Sequence, residues 1–310
     1  MAERSTGRAL RTVKQTDVSV CIANYNGVGL LRQCLDSLHA TSGGVAFEII
    51  VIDNGSTDGS REMVGERYPA VTLIQNPTND GYAAANNLGL ERSCGRYILV
   101  LNNDTIVPPD CLEVMTRFMD DHPTVGMSTC SYVARPGSAQ LMPCTNRFFP
   151  SARRVLVENL INLSGLGFLV RRMGLDDLCF GYTTDHEREH RVEQITGAFL
   201  FVRRQTIDQV GPMDPGYFLY LEETDWCYRI RQAGWEIAYT PRTHIVHLGS
   251  QTTQLLPNRP EIYRRSMERY LTKHRGRHSA WLYRMQVLLI ERPLSPLFLW
   301  LRKRFRGGQA

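Results

Sequence analysis

The feature of this sequence that most constrains its fold is the alternation of apolar strands with helices through the first 130 residues. The segments VSVCIANYN, FEIIVID and YILVLNNDT have the composition of strands, and they lack the alternating polar residues of a strand with one face in water. Segments of helical periodicity lie between them. Buried strands joined by helices are typical of a parallel sheet covered on both faces. We therefore predict an α/β fold in which a mostly parallel, Rossmann-like sheet is flanked by helices.

The net charge of +5 is spread unevenly over the 310 residues. Residues 261–310 hold twelve Arg or Lys and three Glu, a balance of +9 that leaves −4 for residues 1–260. The globular part is therefore not expected to bind nucleic acid, and a basic C-terminal segment of this kind is typical of binding to a membrane surface or to nucleic acid, of which we expect an anionic membrane surface.

Targeting and cysteine patterns indicate the compartment. The polar lead over residues 1–17 has no apolar core of a signal peptide, and no stretch reaches the roughly 18 apolar residues of a membrane span. The eight Cys form no CxxC pair, which suits reduced thiols better than disulfides or zinc ligands. We expect a cytoplasmic protein, with a peripheral position on the inner face of the cytoplasmic membrane.

Polar residues end three successive predicted strands, and the carboxyl ends of parallel strands lie along one edge of a sheet. Taken singly, each residue is explained equally well as a turn residue or a helix cap. Together they form a polar rim with carboxylates, suited to a nucleotide and to Mg²⁺ or Mn²⁺. The turn NYNGVG lacks the G-x-G-x-x-G of dinucleotide sites, and no Walker motif is present. The residues of the rim are Asn24, Asn26, Asp53, Asn54, Asn102 and Asp104.

Seven segments, in order along the chain, resemble the motif series of the family-2 inverting glycosyltransferases, which have the GT-A fold. The resemblance is greatest to bacterial rhamnosyltransferase-type members that build surface polysaccharide. It covers about residues 18–250 and leaves out residues 131–190 and the tail after about 255. The segments are VSVCIANYNG, FEIIVIDNGSTDGS, NPTNDGYAAANNLGL, YILVLNNDT, ITGAFLFVRR, GPMDPGYFLYLEETDWCYRIRQAGW and HIVHLGS.

The resemblance implies roles on the donor side of the site. Asp53 matches the acid that accepts a hydrogen bond from a pyrimidine base. Asp80, and Asn86 in the following NNLG, match the loop and helix beneath the nucleotide and the donor sugar.

The resemblance also implies a metal site. LNNDT occupies the position of the D-x-D metal motif, but Asn102 stands where the first Asp would be. Asp104 is therefore the expected direct ligand to Mg²⁺ or Mn²⁺. His247 matches a late His that completes the metal or diphosphate site. A hydrogen-bonded structural His is the alternative for His247, and His244, which we place on the same strand face, is the other candidate ligand.

The segment YLEETDW resembles the family's E-D-x-D segment, with Glu223 where Asp is usual. Inverting transfer needs a carboxylate that removes the proton from the acceptor hydroxyl. We expect Glu223 to be this base, with Glu222 and Asp225 in support, and Glu222 remains an alternative base. Helix N-termini also favour acidic residues through the macrodipole, although that explains one or two acids better than three. Arg229 and Arg231 either contact the diphosphate or pair with these acids.

Two regions lie outside the resemblance. A helical candidate over residues 152–173 is expected to belong to an insertion at the acceptor site. The tail holds a set of apolar residues at helical spacing, followed by RKRFR, which predicts an interfacial helix on anionic lipid. A helix docked on the catalytic domain is the alternative. The apolar residues of the tail are Trp281, Leu282, Met285, Leu288 and Leu289.

The predicted organisation is a lead (1–17), a GT-A domain (18–255) and a basic amphipathic helical tail (256–310). Residues 18–130 form the nucleotide-binding half of the domain and residues 131–255 its acceptor-binding half. The predicted function is that of a metal-dependent, inverting hexosyltransferase in cell-surface polysaccharide synthesis. It would use a dTDP- or UDP-sugar, with dTDP-rhamnose as the first candidate, and a glycan or lipid-linked acceptor. A sugar nucleotidyltransferase and an inactive nucleotide-sugar-binding module are the alternatives.

Overall fold

The computed structural model describes residues 16–138, 140–142, 146–164, 167–173, 186–249 and 258–293. The N-terminal half follows the predicted alternation of strand and helix. Its elements are β1 (Val18–Asn24), α1 (Val28–His39), β2 (Phe47–Asn54), α2 (Ser60–Arg67), β3 (Thr72–Asn76), α3 (Tyr82–Arg92), β4 (Tyr97–Leu101), β5 (Thr105–Ile106), α4 (Cys111–Asp121) and β6 (Val125–Val133).

The C-terminal half is less regular. Its long helix α9 is interrupted at Gly276, where φ is +82°, and it continues into a π-helical turn, Val287–Glu291. The elements before that turn are β7 (Asn146–Arg147), α5 (Ala152–Ser164), α6 (Gly167–Arg172), β8 (His190–Arg191), β9 (Gln194–Ile195), β10 (Phe199–Arg203), α7 (Arg204–Val210), α8 (Glu222–Gln232), β11 (Glu236–His247) and α9 (Arg259–Gln286).

One sheet of nine strands forms the centre of the molecule, in the order β3-β2-β1-β4-β10-β6-β11-β5, with β8 also paired to β11. Strands β3, β2, β1 and β4 are parallel, as the sequence predicts. Strand β10 runs antiparallel to both β4 and β6, while β6 and β11 are parallel. The sheet is therefore mixed, and its half that contains β3, β2, β1 and β4 is parallel.

Helices cover both faces of the sheet because the strands are apolar on both sides. Alternate residues of a strand point to opposite faces, so Cys21 packs in one core layer and its neighbours Val20 and Ile22 pack in the other. Helices α3, α8 and α9 contribute to the layer of Cys21, and helices α1, α2 and α4 contribute to the layer of Val20. The prediction of a sheet flanked by helices is confirmed.

Two features of the C-terminal half bear on the site. Strand β11 is one long strand, with a register shift between Thr240 and His244. Within the helix expected over residues 152–173 the structure describes α5 and α6, and residues 165 and 166 between them lie outside the described residues.

The described part of the tail packs against the sheet domain. Met267, Tyr270 and Leu271 of α9 belong to the same core layer as the sheet, which is the alternative that the sequence left open. The end of α9 nevertheless exposes apolar side chains, including Trp281 and Leu289. Among the described residues, no helix is both long and apolar enough to span a bilayer. Most of the lead and residues 294–310, with the RKRFR motif, lie outside the described residues.

The six Cys in the described part of the chain are free thiols, and all except Cys94 are buried, largely as expected. Cys144 and Cys179 lie outside the described residues.

Candidate active site

The ends of β1, β2 and β4 meet at one edge of the sheet, as the sequence predicts. Asn24 stands opposite Asp53 in the parallel register of β1 and β2. The Asn24 amide nitrogen donates to Ser56 Oγ (3.3 Å), and its oxygen accepts from Asn103 Nδ2 (2.7 Å). A side chain at Gly27 would place its Cβ 2.5 Å from Asn103 Nδ2, so this close packing requires glycine. The rim is therefore a hydrogen-bonded unit built from all three strand ends.

Asn26 joins the loops after β1 and β2. Its φ of +47° lies in the left-handed region, which Asn tolerates better than most residues. Its side-chain oxygen accepts from Thr57 N (2.8 Å), and its own N–H donates to Ser56 Oγ (3.0 Å). These contacts are of the turn type that the sequence left as an alternative.

Asp53 is almost fully buried, with 1% of its surface exposed. Its Oδ1 accepts from Ser56 N (3.1 Å) and from Arg61 Nε (2.5 Å), while Oδ2 accepts a longer bond from Asn24 Nδ2 (3.5 Å). Arg61 stands eight residues later, in GSTDGSR, and its partnership with Asp53 is a feature that the sequence analysis missed. The role of Asp53 in binding a base stays a prediction.

The loop between β3 and α3 presents Asp80 to solvent. Asn76 Nδ2 (3.0 Å) and Thr78 Oγ1 (2.8 Å) donate to its carboxylate, and these hydrogen bonds lower the pKa of Asp80. Asn54, at the end of β2, supports the same loop because its oxygen accepts from Asn76 Nδ2 (2.8 Å) and its nitrogen donates to Asn79 Oδ1 (2.8 Å). The expected donor loop is thus tied to the end of β2.

The start of α3 is tied to a distant segment near residue 218. Gly81 has a φ of +91°, and a Cβ there would lie 2.3 Å from the Phe218 carbonyl oxygen, which accepts from Tyr82 N (2.8 Å). Asn86 is buried, and its Nδ2 donates to Tyr82 O (2.9 Å). Asn87, which the sequence analysis did not single out, exchanges two hydrogen bonds with the backbone of Met213. The NNLG segment therefore joins the two halves of the domain.

Asp104 and His247 meet where β5 pairs with β11. His247 stands opposite Thr105 in that antiparallel pair, which places its Nε2 3.4 Å from Asp104 Oδ1. Both atoms are buried, and neither makes a hydrogen bond within the described part of the chain. A carboxylate oxygen and an imidazole nitrogen left together without hydrogen bonds suit a shared divalent cation. The described residues hold no cluster of three or more His, Cys, Asp and Glu side chains placed to bind a metal.

The other two residues considered for the metal site differ from the expectation. His244 is exposed and lies three positions before His247, on the opposite face of β11, so our placement of both on one face was wrong. Asn102 is half-buried at the end of β4, and its backbone is held by Ala198 O (3.0 Å) and by the Thr105 hydroxyl (2.7 Å). Asp104 is therefore more deeply buried than Asn102, the other candidate metal ligand of the NND motif.

Helix α8 begins from a strained turn. Tyr220 and Leu221 are consecutive non-glycine residues with φ of +69° and +67°. Such conformations cost roughly 1–3 kcal/mol each and persist where the surrounding structure enforces them. Glu222 and Glu223 follow directly, and Glu223 lies against Gly197, where a Cβ would sit 3.8 Å from its side chain. The strain thus occurs at the two residues that deliver the acid pair.

Tyr82 lies close to the acid pair, because both Tyr82 and Glu223 border Gly197. Burial first, and then the charges of Glu222, Glu223, Tyr132 and Asp104, raise the pKa of Tyr82, whose hydroxyl donates to Gly197 O (2.8 Å). Glu222 is buried, and its Oε2 has no hydrogen-bond partner among the described residues. Burial and the neighbouring charge of Glu223 raise the pKa of Glu222 well above its usual range. The predicted acids and the predicted metal ligands border the same segment, because Glu223 lies beside Gly197, while Tyr132 donates to Thr196 O (3.3 Å) and its ring centroid lies 5.9 Å from that of His247.

Asp225 has a different environment from the acid pair. It is fully buried and accepts from Arg229 Nε (2.9 Å) and His274 Nε2 (2.7 Å), with Lys273 Nζ also at 2.7 Å. Burial opposes its charge, but the hydrogen bonds from His274, Lys273 and Arg229 outweigh burial and hold the pKa of Asp225 well below its usual range. Arg229 thus pairs with an acid, as one interpretation proposed, whereas Arg231 donates to Val192 O (3.0 Å).

The chain is similar in sequence to known glycosyltransferases. The family model described as "Glycosyl transferase family 2" matches residues 19–179, more than half of the chain. The N-acetylglucosaminyl-diphospho-decaprenol L-rhamnosyltransferase of Mycobacterium tuberculosis is 26% identical over 247 residues, covering 75% of this chain and 76% of the relative. The low-salt glycan biosynthesis hexosyltransferase Agl10 of Haloferax volcanii is 24% identical over 247 residues, covering 76% and 69%.

Two solved structures share the fold. The mannosyltransferase PcManGT of Pyrobaculum calidifontis, in complex with GDP-Man and Mn²⁺, has a TM-score of 0.54 at 18% identity and covers 96% of this chain and 77% of its own. S. aureus TarS 1–349, in complex with UDP-GlcNAc, has a TM-score of 0.55 at 13% identity and covers 86% and 70%. The fold is therefore the GT-A fold that the sequence resemblance implied.

The Asp53–Arg61 pair leads to a stability prediction. Replacing Arg61 with Met leaves the buried carboxylate of Asp53 without its cation, and we expect the free energy of unfolding to fall by about 1–3 kcal/mol. Urea unfolding followed by circular dichroism measures the change. The matched control is Arg117→Met, which breaks the exposed pair with Glu113 and is expected to cost no more than about 0.5 kcal/mol. Equal losses in the two variants would contradict the assignment.

Proposed function

Because the chain belongs to glycosyl transferase family 2, we propose that it is a metal-dependent, inverting hexosyltransferase that moves a sugar from a nucleotide-sugar donor to a glycan or lipid-linked acceptor. The observation that carries the proposal is that two groups border the same short segment, residues 196–197. One is the Asp104–His247 pair, whose His247 ring lies beside Tyr132, which donates to Thr196 O, and the other is the acid pair, whose Glu223 lies beside Gly197. Transfer needs a metal-bound diphosphate and a base close to each other, and these groups provide both.

On the donor side, Asp104 Oδ1 and His247 Nε2 would hold Mg²⁺ or Mn²⁺, with Asn102 beside them. Such a cation stabilises the charge of the departing nucleoside diphosphate. The remaining ligands would come from diphosphate oxygens and water, since two protein ligands suffice for Mg²⁺ bound with phosphates. Asp80, Asn54 and Asn86 would shape the loop and helix under the nucleotide. The use of Mn²⁺ by PcManGT supports a divalent cation in this fold.

The donor would be dTDP-rhamnose, with a UDP-sugar as the second candidate. The rhamnosyltransferase relative in M. tuberculosis supports rhamnose. Thymine and uracil both present an N3–H donor, and Asp53 Oδ2, which receives only the long bond from Asn24 among its hydrogen bonds described above, would accept it. Asn24 and Asn26 would then act by holding this carboxylate and its loop in position.

Glu223 would act as the base that removes the proton from the acceptor hydroxyl. Two adjacent carboxyl groups in a buried site tend to share a proton, because their like charges repel. Glu222 is the more buried of the pair, and burial together with the charge of Glu223 raises its pKa, so Glu222 holds a proton more strongly than an ordinary carboxyl group. A carboxyl group that keeps its proton cannot serve as the base, so we assign that role to Glu223.

We further propose that the acceptor is lipid-linked, so that the protein works at the inner face of the cytoplasmic membrane. The described exposed large apolar side chains lie mainly on two helical regions that pack together, where Gln286 of α9 donates to Ala152 O at the start of α5 (2.9 Å). Residues 131–255 would supply the acceptor half of the domain. The exposed side chains in these regions are Val157, Leu160, Leu169, Met173, Trp281, Leu282, Leu288 and Leu289.

The donor site can be tested without knowledge of the acceptor. We expect dTDP or UDP with Mn²⁺ or Mg²⁺ to raise the melting temperature, since a ligand at a hundred times its Kd stabilises the native state by about 2.7 kcal/mol. EDTA and the Asp104→Ala substitution should each remove most of this shift. Asp110→Ala, at an exposed position six residues later, is the control and should retain it. If none of UDP, dTDP, GDP and CMP shifts the melting temperature, the rim does not bind nucleotide and its polar residues are turn residues or helix caps.

The base is tested by Glu223→Gln. Loss of a general base lowers turnover by about 10²–10⁴-fold, and we expect kcat to fall in that range while the nucleotide-dependent thermal shift stays unchanged. Glu222→Gln, which preserves the neutral form of that side chain, should lower kcat much less. Steady-state transfer assays on both variants provide the measurement. The assignment is wrong if Glu223→Gln keeps most of its turnover or if Glu222→Gln is the more damaging change.

The membrane surface is tested by vesicle flotation. We expect the wild-type protein to float with vesicles that contain anionic phosphatidylglycerol and to do so less with neutral phosphatidylcholine. The double substitution Trp281→Glu and Leu289→Glu should reduce the floating fraction at unchanged melting temperature, because both side chains are exposed. If the floating fraction is the same with anionic and neutral vesicles and is unchanged by the two substitutions, this surface does not bind the membrane.

A further inference from the structure

Helix α9 contacts the segment that leads into the acid pair at several points. Ser266 Oγ donates to Leu219 O (2.8 Å), and Arg259 Nε donates to the Tyr220 hydroxyl (3.2 Å). These contacts fall at the strained turn, Tyr220–Leu221, that precedes Glu222. Both contacts are made by α9, and neither involves a strand of the sheet or a helix next to the polar rim.

Lys273 joins both ends of the same segment. Its ammonium lies 2.7 Å from Asp214 Oδ2 and 2.7 Å from Asp225 Oδ1, two carboxylates that flank the strained turn. Arg269 adds a bond to Asp214 (2.9 Å), and its guanidinium crosses the loop at Gly216, where an added Cβ would lie 2.1 Å from it. The loop between the two carboxylates is therefore closed by one cation from α9.

His274 completes the contact from the next position along the helix. Its Nε2 donates to Asp225 (2.7 Å), and its ring packs against Tyr228 and Tyr270, with centroids 4.3 and 4.9 Å apart. Side chains buried in this way have few alternative rotamers. Asp225 is thus bonded to groups of α9 on one side, while Glu222 and Glu223, on the same helical turn, face Tyr82 and Gly197.

From these contacts we infer that α9 is a positioning clamp for the acid pair, an inference that rests on the proposed function. Lys273, His274 and Ser266 hold the strained Tyr220–Leu221 turn between Asp214 and Asp225, and this restraint keeps Glu223 aimed at the acceptor hydroxyl. These three residues are positioning residues, since they act through Asp225 and the turn and do not touch the reacting groups. Strained backbone of this kind persists only where surrounding contacts enforce it.

Two variants test the clamp in the full-length protein. Lys273→Met removes the cation shared by the two carboxylates, and Ser266→Ala is a milder change that removes only the bond to Leu219. We expect faster amide hydrogen exchange in residues 214–225 of both variants. For Lys273→Met we expect kcat to fall about tenfold to a hundredfold, with the donor KM within about twofold, because small misplacements of a catalytic group have effects of that size. Lys273→Arg should restore most of the turnover.

The matched control is Arg264→Met, which breaks an ion pair with Glu291 on the same helix, away from the acid segment. It should leave both the exchange of residues 214–225 and kcat unchanged. Unchanged exchange in Lys273→Met and Ser266→Ala, or faster exchange with an unchanged kcat, would overturn the clamp, as would an equal fall of kcat in the control. If the wild-type protein transfers no sugar, the proposed function fails, and the exchange comparison alone decides whether α9 restrains the segment.

Discussion

The parallel register of β1, β2 and β4 is the constraint on which the rest of the site depends. It sets Asn24 beside Asp53, and the NND motif beside both, so that side chains far apart in sequence form one hydrogen-bonded edge. The register in turn follows from strands that are buried on both faces. Such strands bury their apolar side chains on both faces only when helices cover both sides of the sheet. A helix that connects two neighbouring strands in this way makes them run parallel.

The remaining half of the site is delivered by strands that break this pattern. Strand β10 runs antiparallel to both β4 and β6, and Gly197, two residues before it, accepts a hydrogen bond from the Tyr82 hydroxyl and lies beside Glu223. Strand β11 is long enough to pair with β6 and then with β5, which carries His247 to Asp104. The parallel half of the sheet thus carries the polar rim, and the mixed half places Glu223 and His247 beside it.

The sequence was informative where a local pattern has one physical cause. Apolar runs that stop at Asn or Asp identified Asn24, Asp53 and Asp104, and the structure places all three at one edge. It was uninformative about β5, whose two residues carry no periodicity yet decide which His meets Asp104. It also could not reveal the left-handed pair Tyr220–Leu221, because neither residue type favours that conformation. Contacts across large sequence separations impose both features.

Glu222 and Asp225 show how these distant contacts assign different states to similar residues. Both carboxyl groups are buried in the first turn of α8, so burial alone would raise the pKa of each. Hydrogen bonds from His274, Lys273 and Arg229 lower the pKa of Asp225, whereas burial and the charge of Glu223 raise the pKa of Glu222. Asp225 therefore fixes the helix through ion pairs, while the surroundings of Glu222 favour its neutral form. Because two of the four side-chain partners of Asp225, Lys273 and His274, come from α9, the C-terminal helix belongs to the architecture of the acid pair as much as the sheet does.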